Sequence, residues 1–344
     1  MKREADIITH AKMTFLAQLN PYHSVKKVYQ NAINEFYENK EDVKYVGIKD
    51  VNQIPPHLYK ELKRKGSYIL HTLDASSFGG RAVDLNIKNP VTGHPMSGSS
   101  SGTAVNVFSG INDLGIGTDG GGSVLAPAMS LNLFGFISPL IEQEHMKEFH
   151  KKSTDDISFS PSIGFITREW KIMKEAVSLV LNLEHEGVEQ KNLLVLADKK
   201  EERDLKMDIK KIEFPDTLGE REEIIRFLLD NLKKCDFLIA YEGPVDVRGF
   251  GDSIFGHFDI KTSEIQREAH KGLIRAVNMA HGTALCIPGK ELGCGWVLIC
   301  ESDIGKIKVM LEQAEKLIRK CDPLTERYFL NYDMYFESGY GSRE

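Results

Sequence analysis

Apolar residues recur at helical spacing along several stretches of the chain. In SVKKVYQNAINEFYEN they fall every three to four positions after Ser24, a residue suited to cap a helix. EWKIMKEAVSLVLNLEHE is the clearest amphipathic segment, and TSEIQREAHKGLIRAVNMAHG ends on a glycine of the kind that closes helices. This periodicity predicts helices over 24–39, 57–65, 102–111, 169–186, 262–282 and 305–320.

Compact apolar runs bounded by polar residues predict buried strands between these helices. The predicted strands are 44–50, 67–73, 113–119, 192–198, 236–242, 283–288 and 295–301. Residues 79–102 are rich in Gly, Ser, Asn and Pro, which predicts turns, and the sign-alternating run 197–211 predicts a solvated surface. Strands that alternate with helices indicate an α/β fold around a mixed sheet.

Composition narrows the class of protein. The chain has 344 residues, of which 41% are hydrophobic and 27% charged, and its net charge of −6 argues against a nucleic-acid or anionic-membrane partner. No apolar run reaches the ~20 residues that a transmembrane helix needs, and the first residues lack the apolar core of a signal peptide. We therefore expect a cytoplasmic protein.

The five cysteines form no CxxC pair, which disfavours a zinc site and favours free, mostly buried thiols. The sequence therefore predicts neither a metal nor a cofactor.

The stretch GTDGGGSVLAP, residues 117–127, surrounds one hydroxyl with glycines. It is compatible with a flexible loop, a phosphate cradle or an oxyanion hole. A phosphate-binding P-loop needs a lysine ahead of its hydroxyl residue, and none lies near Ser123. The run GSSSG, residues 98–102, matches a nucleophile elbow with Ser100 at its apex, but the preceding NPVTGHPMS does not read as a central strand.

A third interpretation joins Ser99 and Ser123 to Lys49, which lies at the end of a predicted strand. A serine hydroxyl attacks a carbonyl only when a base accepts its proton. A lysine can be that base if burial lowers its pKa enough to leave the amine neutral. An intervening serine can relay the proton.

The segments VGIKD, GSSSGTA and GTDGGGSVLAPA resemble, in order, the three signature elements of the amidase signature family. The resemblance is dense between residues 89 and 139 and extends thinly over about 43–320. It implies an α/β fold in which helices cover both faces of a mixed, twisted sheet. It also implies one domain over 1–344, composed of a reduced N-terminal helical layer (1–42), a catalytic core (43–140), the rest of the sheet and helices (141–320) and a C-terminal tail (321–344).

The resemblance also implies roles for individual residues. Ser123 is the nucleophile, Ser99, which follows a cis peptide, bridges to it, and Lys49 is the base. The N–H groups of this nucleophile and of the glycines before it form the oxyanion hole, which assigns Gly120, Gly121 and Gly122. Two residues are expected to support the site, Asp119 as an anchor for the glycine loop and Ser100 as the cap of the following helix.

Two departures from the family pattern stand close to this site. Leu125 occupies the position of an arginine, which leaves Asp119 without its expected charged partner, and Ile137 occupies the position of a lysine. The resemblance implies a serine hydrolase acting on a small-molecule or peptide-like amide. The alternatives are an A-type amidotransferase subunit that hydrolyses glutamine for a partner, and an inactive binding or scaffold relative. The acyl group, the leaving amine and the oligomeric state are left open, and a homo-oligomer is compatible with the sequence.

Overall fold

A computed structural model describes residues 2–39, 42–183, 193–205, 207–320 and 322–336. The helices are α1 Lys2–Leu19, α2 Ala32–Glu38, α3 Pro56–Gly66, α4 Ser101–Phe108, α5 Leu125–Ser130, α6 Gln143–Lys147, α7 Trp170–Leu181, α8 Arg221–Leu232, α9 Ile260–Arg267, α10 Ile304–Ala314 and α11 Pro323–Phe329. The strands are β1 Val25–Val28, β2 Lys44–Lys49, β3 Tyr68–Asp74, β4 Val83–Lys88, β5 Pro95–Ser97, β6 Leu114–Asp119, β7 Phe134–Ser138, β8 Lys151–Lys152, β9 Ser158–Phe159, β10 Ser162–Thr167, β11 Val195–Asp198, β12 Ile209–Ile212, β13 Phe237–Glu242, β14 Gly282–Pro288 and β15 Gly295–Glu301.

In this part of the chain, an 11-stranded sheet runs in the order β1-β3-β2-β6-β10-β7-β14-β15-β13-β11-β12. Parallel pairs join β2 to β3 and β6, and β11 to β12 and β13, while the remaining neighbours are antiparallel. The predicted mixed sheet is confirmed. β2 and β6 are adjacent within it, so the strand ends that carry Lys49 and Asp119 lie side by side.

Helices cover both faces of the sheet because successive strand residues point to opposite cores. On β13, Phe237 and Ile239 belong to one hydrophobic cluster, whereas Leu238 belongs to the other. Helices α3, α7 and α10 contribute to the first cluster, and α4, α5 and α8 contribute to the second. No helix of the described residues is long and apolar enough to cross a membrane.

The helix predicted over 24–39 is wrong in its first half. Residues Val25–Val28 form edge strand β1, antiparallel to β3, and only Ala32–Glu38 are helical. The buried Ser24 hydroxyl donates to Asn106 Oδ1 at 2.6 Å instead of capping a helix. The segment predicted as a helical layer therefore also extends the sheet, because pairing with β3 outweighs the local helical spacing.

The long helix predicted over 262–282 is also wrong. Helix α9 ends at Arg267, a 3-10 turn follows over Leu273–Arg275, and β14 begins at Gly282. The Glu242 carboxylate accepts hydrogen bonds from the N–H groups of Gly272 and Leu273. A Cβ at Gly272 would lie 2.9 Å from that carboxylate, so the chain breaks where only glycine fits. Hydrophobic periodicity in a short window cannot detect this contact, because the strand that carries Glu242 is distant in the sequence.

The other predicted elements are present with shifted ends. Helix α7 ends at Leu181, and the last predicted residues, 184–186, lie outside the described residues, as does residue 192 at the start of one predicted strand. The turn-rich segment 79–102 contains the short pair β4–β5, and the charged run 197–211 contributes to edge strand β12.

The described part of the C-terminal tail packs against the body. Phe329 lies against Phe108, with ring centroids 4.9 Å apart, and the Tyr332 hydroxyl donates to the Gly110 carbonyl at 2.8 Å. Residues 321 and 337–344 of this tail lie outside the described residues.

Candidate active site

A buried lysine and a buried serine meet at the C-terminal end of β2. The Lys49 ammonium group donates to Ser99 Oγ at 2.7 Å and to Thr118 Oγ1 at 3.1 Å. Lys49 and Ser99 are 3% and 4% exposed. Thr118 in turn donates to Gln53 Oε1 at 3.1 Å. The sequence alone predicts no role for Thr118, although it lies inside the glycine–serine motif.

Burial lowers the pKa of Lys49 from 10.5 to about 7. Desolvation is the main cause, since it disfavours the charged amine. The negative charge of Asp119 opposes the shift, and the positive charge of Lys151 adds to it. A lysine with a pKa near 7 is present in part as the neutral amine at physiological pH, which is the form that accepts a proton.

Ser99 follows a cis peptide bond, Gly98–Ser99, as the resemblance implies. The next residue differs from the expectation. Helix α4 begins at Ser101, but Ser100 makes no side-chain cap, and its buried hydroxyl has no hydrogen-bond partner in the described ranges. That hydroxyl faces Gly117, where a Cβ would lie 2.6 Å from it. The predicted capping role of Ser100 is therefore wrong, while its N–H donates to the Ser123 carbonyl at 3.1 Å and joins the two serine segments.

Ser123 is half-buried and lines the same cleft as Lys49 and Ser99. Its hydroxyl makes no hydrogen bond with any residue that the structure describes, so the structure brings Lys49 and Ser99 together without linking either to Ser123 Oγ. Catalytic hydrogen bonds are commonly long or absent before substrate binds.

The glycine loop before Ser123 is held by the fully buried Asp119. Its carboxylate accepts from the N–H groups of Gly122 at 2.7 Å, Val124 at 2.6 Å and Leu125 at 3.2 Å. Burial raises the pKa of Asp119, and these backbone bonds oppose that rise. Three backbone donors thus anchor the loop without an arginine.

The oxyanion hole predicted from Gly120, Gly121 and Gly122 needs one correction. The Gly122 N–H points at Asp119 and is not free to bind an oxyanion, whereas the N–H groups of Gly120 and Gly121 donate to no described residue. Gly122 has φ +98°, a conformation that L side chains rarely adopt. This backbone conformation requires a glycine at position 122.

The two positions that depart from the family pattern lie in the core. Leu125 is fully buried at the start of α5, and Ile137 is fully buried on β7, where it pairs with Gly164 and Ala284. Both belong to the same hydrophobic cluster. Both side chains therefore contribute apolar packing to the core and do not line the cleft.

The cleft has a volume of about 1280 Å³, and we name two groups of the residues that line it. One, which we name the lysine–serine wall, comprises Lys49, Ser99, Thr118, Ser123 and the glycine loop. The other, the arginine wall, comprises Arg221, Arg275 and Met279. The sequence alone assigns no role to the arginine wall, since no motif surrounds its residues.

Solved structures with a similar fold are amidases and related enzymes. A crystal structure of an amidase aligns with TM-score 0.59 and 14% identity over 92% of this chain and 95% of that chain. A 6-aminohexanoate cyclic dimer hydrolase complexed with substrate aligns with TM-score 0.60 and 11% identity over 90% of this chain and 93% of that chain. The A-type subunit of the glutamyl-tRNA(Gln) amidotransferase from Thermotoga maritima aligns with TM-score 0.59 and 14% identity over 88% of this chain and 90% of that chain. No family model and no curated protein matches the sequence. The likenesses confirm the predicted amidase-signature fold.

Proposed function

We propose that the protein hydrolyses a carboxylic amide through an acyl-enzyme on Ser123. The observation that carries this proposal is the buried Lys49, whose pKa is lowered to about 7 and whose Nζ lies 2.7 Å from Ser99 Oγ. A neutral amine paired with a buried hydroxyl, beside a serine open to a cleft, is the arrangement that activates an alcohol for acyl transfer.

The proposed reaction begins with proton transfer along the two serines. Neutral Lys49 accepts the Ser99 proton, and Ser99 accepts the Ser123 proton as Ser123 Oγ bonds to the amide carbon. The tetrahedral intermediate then collapses, the C–N bond breaks, and Lys49 returns the proton through Ser99 to the leaving nitrogen. Water attacks the resulting ester by the same route, which releases the carboxylic acid and frees Ser123.

The free N–H groups of Gly120 and Gly121 are the donors we assign to the developing oxyanion. Such donors are oriented before the charge develops, so they need no reorganisation during the reaction. Each typically lowers the activation barrier by about 3 kcal/mol. Asp119 holds the loop in place through the Gly122 N–H. The similar fold of an amidase and of the 6-aminohexanoate cyclic dimer hydrolase supports this class of reaction.

A fluorophosphonate probe tests the proposal directly. We expect covalent labelling of the wild-type protein, mapped to Ser123 by peptide mass spectrometry, and no labelling of Ser123→Ala. Lys49→Ala should lose labelling as well, because the hydroxyl then has no base. Ser100→Ala is the matched control, since its buried hydroxyl has no acceptor among the described residues and lies outside the cleft lining.

Labelling of Lys49→Ala at the wild-type rate would contradict the assignment of the base. A wild-type protein that resists the probe and hydrolyses no amide would contradict the proposed function itself.

A further inference from the structure

The cleft concentrates positive charge on an acidic protein. Eight lysines and arginines line it against five aspartates and glutamates, although the whole chain carries a net charge of −6. An excess of one sign of charge in a cleft attracts ligands of the other sign. The charge distribution therefore favours an anionic ligand.

Arg221 brings one of these charges to the glycine loop. Its Nη1 atom lies 3.8 Å from the position that a Cβ would take at Gly121, the residue whose N–H we assign to the oxyanion hole. The same atom lies 3.7 Å from Met279 Sδ. An amide bound with its oxygen at Gly121 would therefore extend past the Arg221 guanidinium.

The guanidinium of Arg221 is incompletely satisfied by the protein. Its side chain is 12% exposed, and its ion-pair partner is Asp155, at 3.1 Å, whose side chain is 40% exposed. Within the described ranges, the Nε atom of Arg221 is buried without a hydrogen-bond partner. A buried donor without an acceptor is costly unless a ligand supplies one.

A second arginine adds to the positive field. Arg275 donates through Nη2 to the carbonyl oxygens of Thr217 and Gly219, and its Nε is likewise buried without a partner among the described residues. Burial, with the nearby charge of Arg221, lowers the pKa of Arg275 to about 10. Both guanidinium groups remain protonated at neutral pH, and their mutual repulsion is relieved by an anion.

We propose that the amide substrate carries a carboxylate group, and that Arg221 binds this group beside the glycine loop while Arg275 reinforces the positive field behind it. This inference rests on the proposed function for its reaction and on the arginine wall for its substrate class. A planar guanidinium suits a carboxylate because it offers two parallel N–H donors. Asp155 then competes with the substrate for the same guanidinium.

Matched amides test the substrate class. Succinamate and butyramide differ only in a carboxylate replacing a methyl group, and malonamate and glutaramate vary the distance between the charge and the amide. We expect kcat/KM of the best of the three anionic amides to exceed that of butyramide by about 10- to 100-fold, the ratio typical of one charged hydrogen-bonded contact. Arg221→Gln should remove this preference, and Arg221→Lys should keep part of it. Arg226→Gln, an exposed position on the same helix, is the charge-matched control.

The Asp155→Asn variant distinguishes a ligand-binding role of Arg221 from a purely structural ion pair with Asp155. If the guanidinium serves the substrate, Asp155→Asn strengthens carboxylate selectivity while Arg221→Gln weakens it. If the pair only holds the fold, both variants lower the melting temperature and leave the selectivity unchanged, which overturns the proposal.

A binding measurement keeps the inference distinct from the proposed function. Calorimetry with Ser123→Ala protein, which needs no turnover, compares succinamate with butyramide. Tighter binding of succinamate that Arg221→Gln reduces by at least about 10-fold supports the carboxylate site, and equal binding of both amides overturns it. A protein that Ser123 probes label but that prefers butyramide would retain the proposed function and lose this inference.

Discussion

The two walls of the cleft bury cationic side chains with opposite results. On the lysine–serine wall, burial brings the pKa of Lys49 down to about 7, so the side chain can exist as a neutral base. On the arginine wall, burial brings the pKa of Arg275 down only to about 10, and the charge is retained. The same desolvation therefore makes the neutral form accessible to Lys49 and leaves Arg275 charged at neutral pH.

The difference arises from the starting pKa and from the neighbours. Lysine begins about two units below arginine and concentrates its charge on one nitrogen, so burial neutralises it more readily. Lys49 contacts two hydroxyl groups and is influenced by the charge of Asp119, whereas Arg221 forms an ion pair with Asp155. One wall thus carries the proposed base and the other carries the proposed carboxylate-binding group.

The largest expected effect comes from Lys49→Met, which keeps the volume of the side chain and removes the base. We expect kcat to fall by on the order of 10³-fold or more, because no other described base lies within reach of Ser99. The melting temperature should stay the same or rise, since a buried amine is replaced by an apolar group. Steady-state kinetics with thermal unfolding checks both. A large loss of stability would instead make Lys49 a structural residue.

The pH profile tests the neutral-lysine assignment without a mutation. Because the neutral amine is the active form, kcat/KM should rise with pH and level off above about 7, with a decrease of about tenfold per pH unit below that value. A kcat/KM that is flat between pH 5 and 7 would contradict Lys49 as the base.

Buried carboxylates behind the two walls provide a stability test. Burial raises the pKa of Asp74, paired in register with Lys49, and of Glu242, behind Arg275, each to about 7. The folded state then binds more protons than the unfolded state between about pH 4 and 7, so the free energy of unfolding decreases as pH rises through this range.

In urea unfolding measured from about pH 4 to 7, Asp74→Asn should reduce the total decrease in the free energy of unfolding by about 2–3 kcal/mol. Glu242→Gln should reduce this decrease as well and should also weaken succinamate binding, because Glu242 holds the turn that carries Arg275. Unchanged slopes in both variants would show that these groups do not titrate in this range.

The smallest expected effects separate two adjacent glycines. Gly122→Ala places a Cβ at φ +98° and should lower the free energy of unfolding by about 1–2 kcal/mol. At Gly121 the nearest atom to a new Cβ is 3.5 Å away, so Gly121→Ala should fold normally. Its methyl group would face Arg221, and we expect KM to rise more for succinamate than for butyramide. An equal increase in KM for the two amides would show that Gly121 does not influence binding at the arginine wall.

Local pattern predicted seven of the 11 strands of the sheet but not β1, β12 or the central strands β7 and β10. Strands β2 and β6 were predictable because their apolar runs end at polar residues of short motifs. The β1 strand was not, since VKKV fits a helix as well as an edge strand until β3 pairs with it. The break at Gly272 depends on Glu242, 30 positions away, and window-based periodicity cannot include that contact.

The sequence likewise predicted some features of the candidate site and missed others. Lys49, Ser99 and Ser123 are proposed from the sequence because each lies in a short segment whose residue types suit one chemistry. The cap assigned to Ser100 and the free N–H assigned to Gly122 were wrong, because hydroxyl and amide directions depend on backbone dihedral angles.

By itself, the sequence determined which residues we propose for acyl transfer, since they lie in contiguous motifs of lysine, serine and glycine. Only the tertiary structure decided that Lys49 is buried against Ser99 and that Arg221 stands beside Gly121, 100 positions earlier in the chain. Burial and proximity are properties of the folded chain, and they set both the pKa of the proposed base and the charge that faces the cleft.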